Sequence, residues 1–155
     1  MPQVSLITDV SQVTPAWLTT TLAQTDYTGS EHVVAIRVED RQATGFHIIV
    51  RLHATYSQDT AVPSHFVLKF SQPDRHVRVT ENGWEVTFYN QLAAHMLHCP
   101  ILRCYDAVVS PQLGKVHLLL EDVSATHYAQ PPSHLPPTIP ECQRIIDALA
   151  QLHAH

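Results

Sequence analysis

The stretch Pro63-Ser64-His65-Phe66-Val67-Leu68-Lys69-Phe70 decides how the rest of the chain is read. Four of its last five residues are apolar, and Pro63 before it and Gln72-Pro73-Asp74 after it bound the run, so it reads as a buried strand. A lysine inside such a run needs a reason. Removing an ammonium from water costs on the order of several kcal/mol, and lysine is seldom buried without a partner. Lys69 therefore calls for an anion, supplied by the fold or by a ligand. The sequence holds only two lysines, Lys69 and Lys115, so a lysine-rich composition does not account for this one. The run alone is equally compatible with an edge strand that points Lys69 to solvent between inward Leu68 and Phe70.

The 155 residues have the length of one ordinary domain, and an apolar fraction of 45% can build a core. A net charge of -5 without any lysine or arginine cluster argues against a nucleic-acid partner. Met1 to Asp9 lacks a basic segment followed by an apolar core, and no stretch approaches ~20 continuous apolar residues, so no membrane partner is expected and the location expected is cytoplasmic. The three cysteines, Cys99, Cys104 and Cys142, form no CxxC pair. Of the 12 histidines, His95 and His98 with Cys99 and Cys104 come nearest to a ligand set, but their spacing fits no structural zinc pattern, and no metal site is expected.

Upstream of the run, Val13-Thr14-Pro15-Ala16-Trp17-Leu18 is a helix start, with Thr14 as cap and Pro15 at the first helical position, and the helix should stop near Gln24. Val33 to Val38 marks a first strand with a polar end at Glu39-Asp40. Phe46 to Tyr56 is a second, joined to the first through Gly45. With the Lys69 strand, three strands lie consecutively antiparallel. Downstream, Trp84, Phe88, Leu92 and Met96 recur every four residues and predict a helix of about four turns from Glu81 to about Leu97. Tyr105 to Val109 and Val116 to Leu120 are two more strands, joined by a turn rich in breakers. Ala129 to Pro140 carries five prolines and reads as an extended linker. A last helix begins at Thr138-Ile139-Pro140-Glu141, with Ile145, Leu149 and Leu152 along one side.

These elements describe an α+β fold, a five-stranded antiparallel sheet with one long helix packed on it. Glu85, on the helix that follows the Lys69 strand, is the natural counter-ion; Glu81, one turn earlier, competes with it.

Phe66-Val67-Leu68-Lys69-Phe70, Glu85-x-x-Phe88-Tyr89-x-x-Leu92, Pro100-x-x-Arg103-Cys104-Tyr105, Leu118-Leu119-Leu120-Glu121-Asp122-Val123 and Ala148-Leu149-Ala150-Gln151-Leu152-His153-Ala154 occur in that order. Together they resemble the aminoglycoside phosphotransferase superfamily of small-molecule kinases, and the opening Val13 to Leu18 is most similar to its ecdysteroid-kinase-like branch. The resemblance implies a protein-kinase-like N-terminal lobe at residues 1–124. Residues 125–155 would then be the proline-rich linker and the first helix of a C-terminal lobe.

By the same resemblance ATP is the cofactor. Lys69 would hold its α- and β-phosphates, with Glu85 fixing the lysine. Thr44-Gly45-Phe46 would lie over the phosphates, although GxGxxG is reduced to Gly45. The backbone around Glu121, Asp122 and Val123 would meet the adenine edge, in a register open by one residue. The acceptor would be a small-molecule hydroxyl. The family's catalytic aspartate and its Mg2+-binding residues belong to the second lobe, and no His-x-Asp loop occurs here, so the chain is expected to be a fragment without phosphoryl transfer of its own. A non-catalytic nucleotide-binding or protein-interaction module is the alternative, and an ordinary α+β domain with a solvated Lys69 is a third reading.

Overall fold

The computed structural model describes residues 5–26, 30–74, 79–96, 100–126 and 136–154, and for residues 79–82 and 94 the backbone only. Five strands, β1 (Val33–Ala43), β2 (His47–Tyr56), β3 (His65–Ser71), β4 (Cys104–Ser110) and β5 (Lys115–Glu121), form one sheet in the order β1-β2-β3-β5-β4. Every neighbouring pair is antiparallel. The three consecutive strands expected from the sequence are the first three of this sheet. The β4–β5 hairpin then adds to β3 through its second strand. Its turn closes at Gly114, whose φ of 58° is a left-handed conformation that favours glycine.

Alternation gives the sheet two unlike faces. Ile48, Val50, Leu52 and Ala54 of β2, Phe66, Leu68 and Phe70 of β3, Tyr105 and Leu119 point to one of them. Ile7 and the helix α1 (Pro15–Leu22), through Leu18 and Leu22, close that face. Thr14 caps α1 as its sequence predicts, its hydroxyl accepting from the Trp17 N–H at 3.1 Å. His117 of β5 pins the N-terminal segment from inside this layer. Its fully buried imidazole accepts the Ile7 N–H at Nδ1 (3.0 Å), while Nε2 lies 2.9 Å from the Asp106 carboxylate. A ring nitrogen that accepts a backbone N–H carries no proton, so Nε2 is the donor to Asp106.

The second face is half covered. Helix α2 (Val79–Thr87) runs on as a π turn over Phe88–Leu92 and a 3-10 turn over Ala93–His95. Val86 packs here with Val116, Leu118 and Leu120, flanked by Val67, Tyr89, Cys104 and Ala107. The Asn90 amide donates to the Ala107 carbonyl at 3.1 Å.

This corrects the expected helix in extent. It starts two residues earlier and changes hydrogen-bond register after Thr87, and of the four-residue apolar repeat Trp84 and Leu92 are exposed and Phe88 and Met96 half-buried: Trp84 is 73% exposed while Val86 is 2% exposed. Two residues are about 200° of helix rotation, so a helix that seats Val86 on the sheet must send Trp84 to solvent.

The last helix, α3 (Ile139–His153), begins where predicted, with Thr138 and Glu141 forming a reciprocal cap. It buries none of its residues, and Ile145, Ile146 and Leu149 are exposed. Most of the expected proline linker, residues 129–135, lies outside the described residues. No helix of the described residues is long and apolar enough to cross a membrane.

Candidate nucleotide site

Lys69 sits on β3 opposite Ile49 of β2 and Leu118 of β5. Its neighbours Leu68 and Phe70 fill the closed face, and alternation turns Lys69 to the half-open one. There its Nζ donates to the Glu85 carboxylate at 2.5 Å, with side-chain exposures of 24% for Lys69 and 40% for Glu85. Lys69 is thus neither fully buried nor on an edge strand. Its partner is the residue that the sequence reading put first, and the side chain of the competing Glu81 lies outside the described residues. Each charge keeps some contact with water, so the ammonium can exchange a carboxylate oxygen for another anion without losing all solvation.

Thr44-Gly45-Phe46 is the tip of the β1–β2 hairpin, and its base is pinned. The Thr44 N–H and hydroxyl both donate to the His47 carbonyl (2.8 and 3.0 Å), and the Thr44 hydroxyl accepts from the His47 N–H at 3.2 Å. The Gln72 N–H donates to the Phe46 carbonyl at 3.0 Å, and the Gln72 amide donates to that of Thr44. A Cβ at Gly45 would meet nothing within 4 Å. Glycine here leaves backbone that a ligand can approach closely.

β5 runs out at Glu121 into the turn Asp122–Val123. The Glu121 N–H donates to the Arg103 carbonyl at 2.9 Å, and the Val123 carbonyl accepts from the Thr126 N–H at 3.0 Å. The Asp122 carboxylate accepts from the Ser124 N–H at 2.9 Å and from the Ser124 hydroxyl, with Arg51 of β2 at 3.9 Å. Burial pushes this carboxyl up, but the Ser124 hydrogen bonds and the charges of Arg51 and His65 outweigh it and hold it below its ordinary value. The Asp122 side chain is thereby committed to shaping the turn, and the segment's backbone is what remains to meet a ligand. Among the described residues no hydrogen bond engages the Val123 N–H.

Three polar residues with a place in this arrangement carry no motif. His47 and Arg51 share the half-open face of β2 with Ile49. The signal was there in the alternation of His47-Ile48-Ile49-Val50-Arg51-Leu52, whose even positions are all apolar. Lys115, read as a turn residue, is the first residue of β5 and only 8% exposed; its Nζ donates to the carbonyls of Gln72 (2.5 Å) and Pro73 (2.7 Å). Of the histidine and cysteine set considered for a metal, His98 and Cys99 lie outside the described residues. The Cys104 thiol is pushed up to about 12, chiefly by burial, and stays protonated at neutral pH.

The chain matches no protein-family model, no curated protein and no solved structure.

Proposed function

We propose that this chain is the ATP-binding lobe of a protein-kinase-like phosphotransferase acting on a small-molecule hydroxyl. The observation that carries the reading is the 2.5 Å contact between Lys69 on the third strand and Glu85 on the helix that follows it. Protein kinases hold the α- and β-phosphates of ATP with a lysine on their third strand, itself paired to a glutamate of the next helix. The pair here faces the open side of the sheet, between a pinned hairpin tip and the backbone of Glu121 to Val123. Triphosphate would meet the Lys69 ammonium near Gly45, and the adenine edge would meet the hinge backbone. Glu85 is engaged by Lys69, so Mg2+ would come with the nucleotide's own oxygens. The sequence contains no His-x-Asp loop, so the residues here bind and orient the nucleotide, and the group that activates the acceptor must come from elsewhere.

A second reading, a non-catalytic nucleotide-binding or protein-interaction module, is favoured by the exposed apolar residues of α2 and α3. Calorimetry of ATP binding, with and without Mg2+, tests the first reading. The parent chain should bind, and Lys69→Met should weaken binding at least tenfold, the loss of one charge-assisted phosphate contact at about 1.5–3 kcal/mol. Equal binding by parent and variant sinks the assignment. No binding by a folded parent leaves the interaction module.

A further inference from the structure

His47 is the first residue of β2 and lies directly opposite Ser71, while Lys69 lies opposite Ile49, the next residue of β2 on the same face. His47 and Lys69 are therefore diagonal neighbours, roughly 7–8 Å apart at the backbone and within reach of each other's side chains. The position is fixed in advance, because both backbone groups of His47 are tied to Thr44 and the hairpin tip is tied to Gln72. The imidazole is half-buried at the mouth of the same open face, between the tip and the lysine. We infer that, given the nucleotide-holding role proposed above, His47 is a second cationic contact for the phosphates, taking up a proton from solvent when they arrive.

The groups of the described residues that face the imidazole bear on the sign. β3 contributes Lys69 and the uncharged Ser71, α2 contributes Glu85, and β1 contributes Gln42, uncharged, on the rung of Ile49. Arg51 stands two alternations farther along β2 itself, on the rung of the Asp40 carboxylate of β1, which accepts from the Gln42 amide at 3.0 Å. Burial holds His47 below its ordinary value, the Lys69 charge adds to this, and Glu85 opposes them. Without a ligand this shift favours the neutral ring. A polyphosphate brings several negative charges to the ring and favours its charged form. Binding then couples to proton uptake and strengthens as the pH falls.

The test is calorimetric titration with ATP, and separately with inorganic tripolyphosphate, at pH 6, 7 and 8 in buffers of different ionisation heat. The parent chain is compared with His47→Gln and His47→Lys. Protonation of the ligand itself affects all three proteins alike and cancels in their ratios. The parent should bind roughly five- to tenfold more tightly than His47→Gln at pH 6, with the two converging at pH 8, as expected for a charge-assisted contact at a half-exposed site. It should also take up a fraction of a proton that His47→Gln does not. His47→Lys, charged throughout, should hold the low-pH affinity to pH 8. A ratio of parent to His47→Gln affinity that does not change with pH overturns the inference while the nucleotide reading stands. Failure of the folded parent to bind either ligand at every pH overturns both. Neither substitution disturbs the Thr44 bonds, which use only the backbone of residue 47.

Discussion

The two lysines of the chain stand on neighbouring strands of one sheet and end in unlike surroundings. Lys115 is buried and spends its ammonium on the carbonyls of Gln72 and Pro73, which ties the β4–β5 turn to the exit of β3. Lys69 reaches a single carboxylate across a face that is still partly wet. Neutral carbonyls held by the backbone cannot leave, so Lys115 is a fixed strut. A carboxylate that is itself part-exposed, on the helix that seats Val86, can yield to a stronger anion, so Lys69 is placed to work. The same division runs through the whole sheet, between a face sealed by α1 and the Ile7 segment and a face that α2 covers in part.

Adjacent residues of β3 put the largest effect on this contrast. Leu68 is fully buried in the sealed face and Val67 half-buried in the other. Leu68→Ala should lose about 2–5 kcal/mol of unfolding free energy, the range for emptying a packed core site. Val67→Ala removes less volume from a looser site and should lose about 1 kcal/mol or less. Denaturant unfolding of both variants reads the difference. Equal losses would mean that the second face is sealed as tightly as the first, and the idea of an open site on it would fall.

The lysines themselves come next. Lys115→Met strands two part-buried carbonyls and should cost about 1–2 kcal/mol. Lys69→Met breaks an ion pair open to water and should change stability by less than about 1 kcal/mol while removing nucleotide affinity. The reverse order would make Lys69 the structural lysine.

What the sequence made legible was whatever depends on alternation and on local chemistry. The buried phase of Phe66, Leu68 and Phe70, the hairpins, the Thr14 and Thr138 helix starts and the need of Lys69 for an anion all follow from a few neighbouring residues. Other features depend on which surface the chain meets later. β1 continues to Ala43, past the polar Glu39-Asp40 where it was expected to end, because β2 offers it backbone partners through Ile48. Lys115 looked like a turn residue because its acceptors lie more than 40 residues away. The nucleotide reading drew on Lys69, Glu85 and the Glu121–Val123 segment. His47 and Arg51 became visible only when the register set them beside those residues.

The orientation of α2 is the sharpest case of this limit and gives the smallest expected effect. A four-residue repeat of Trp84, Phe88, Leu92 and Met96 marks an apolar stripe, and periodicity says nothing about which way a stripe points. The contacts that fix the helix lie elsewhere: Glu85 on Lys69, Val86 on Leu118 and Leu120, Asn90 on Ala107. Trp84→Gln should therefore shift unfolding free energy by no more than about 0.5 kcal/mol in the isolated chain, as for an ordinary surface position. Val86→Ala, which removes a far smaller side chain, should cost about 1–2 kcal/mol. A loss of several kcal/mol on Trp84→Gln would show that the tryptophan is packed in solution. Because Glu85 sits between the two residues on the helix, that result would also take the carboxylate off Lys69 and remove the contact on which the nucleotide reading rests.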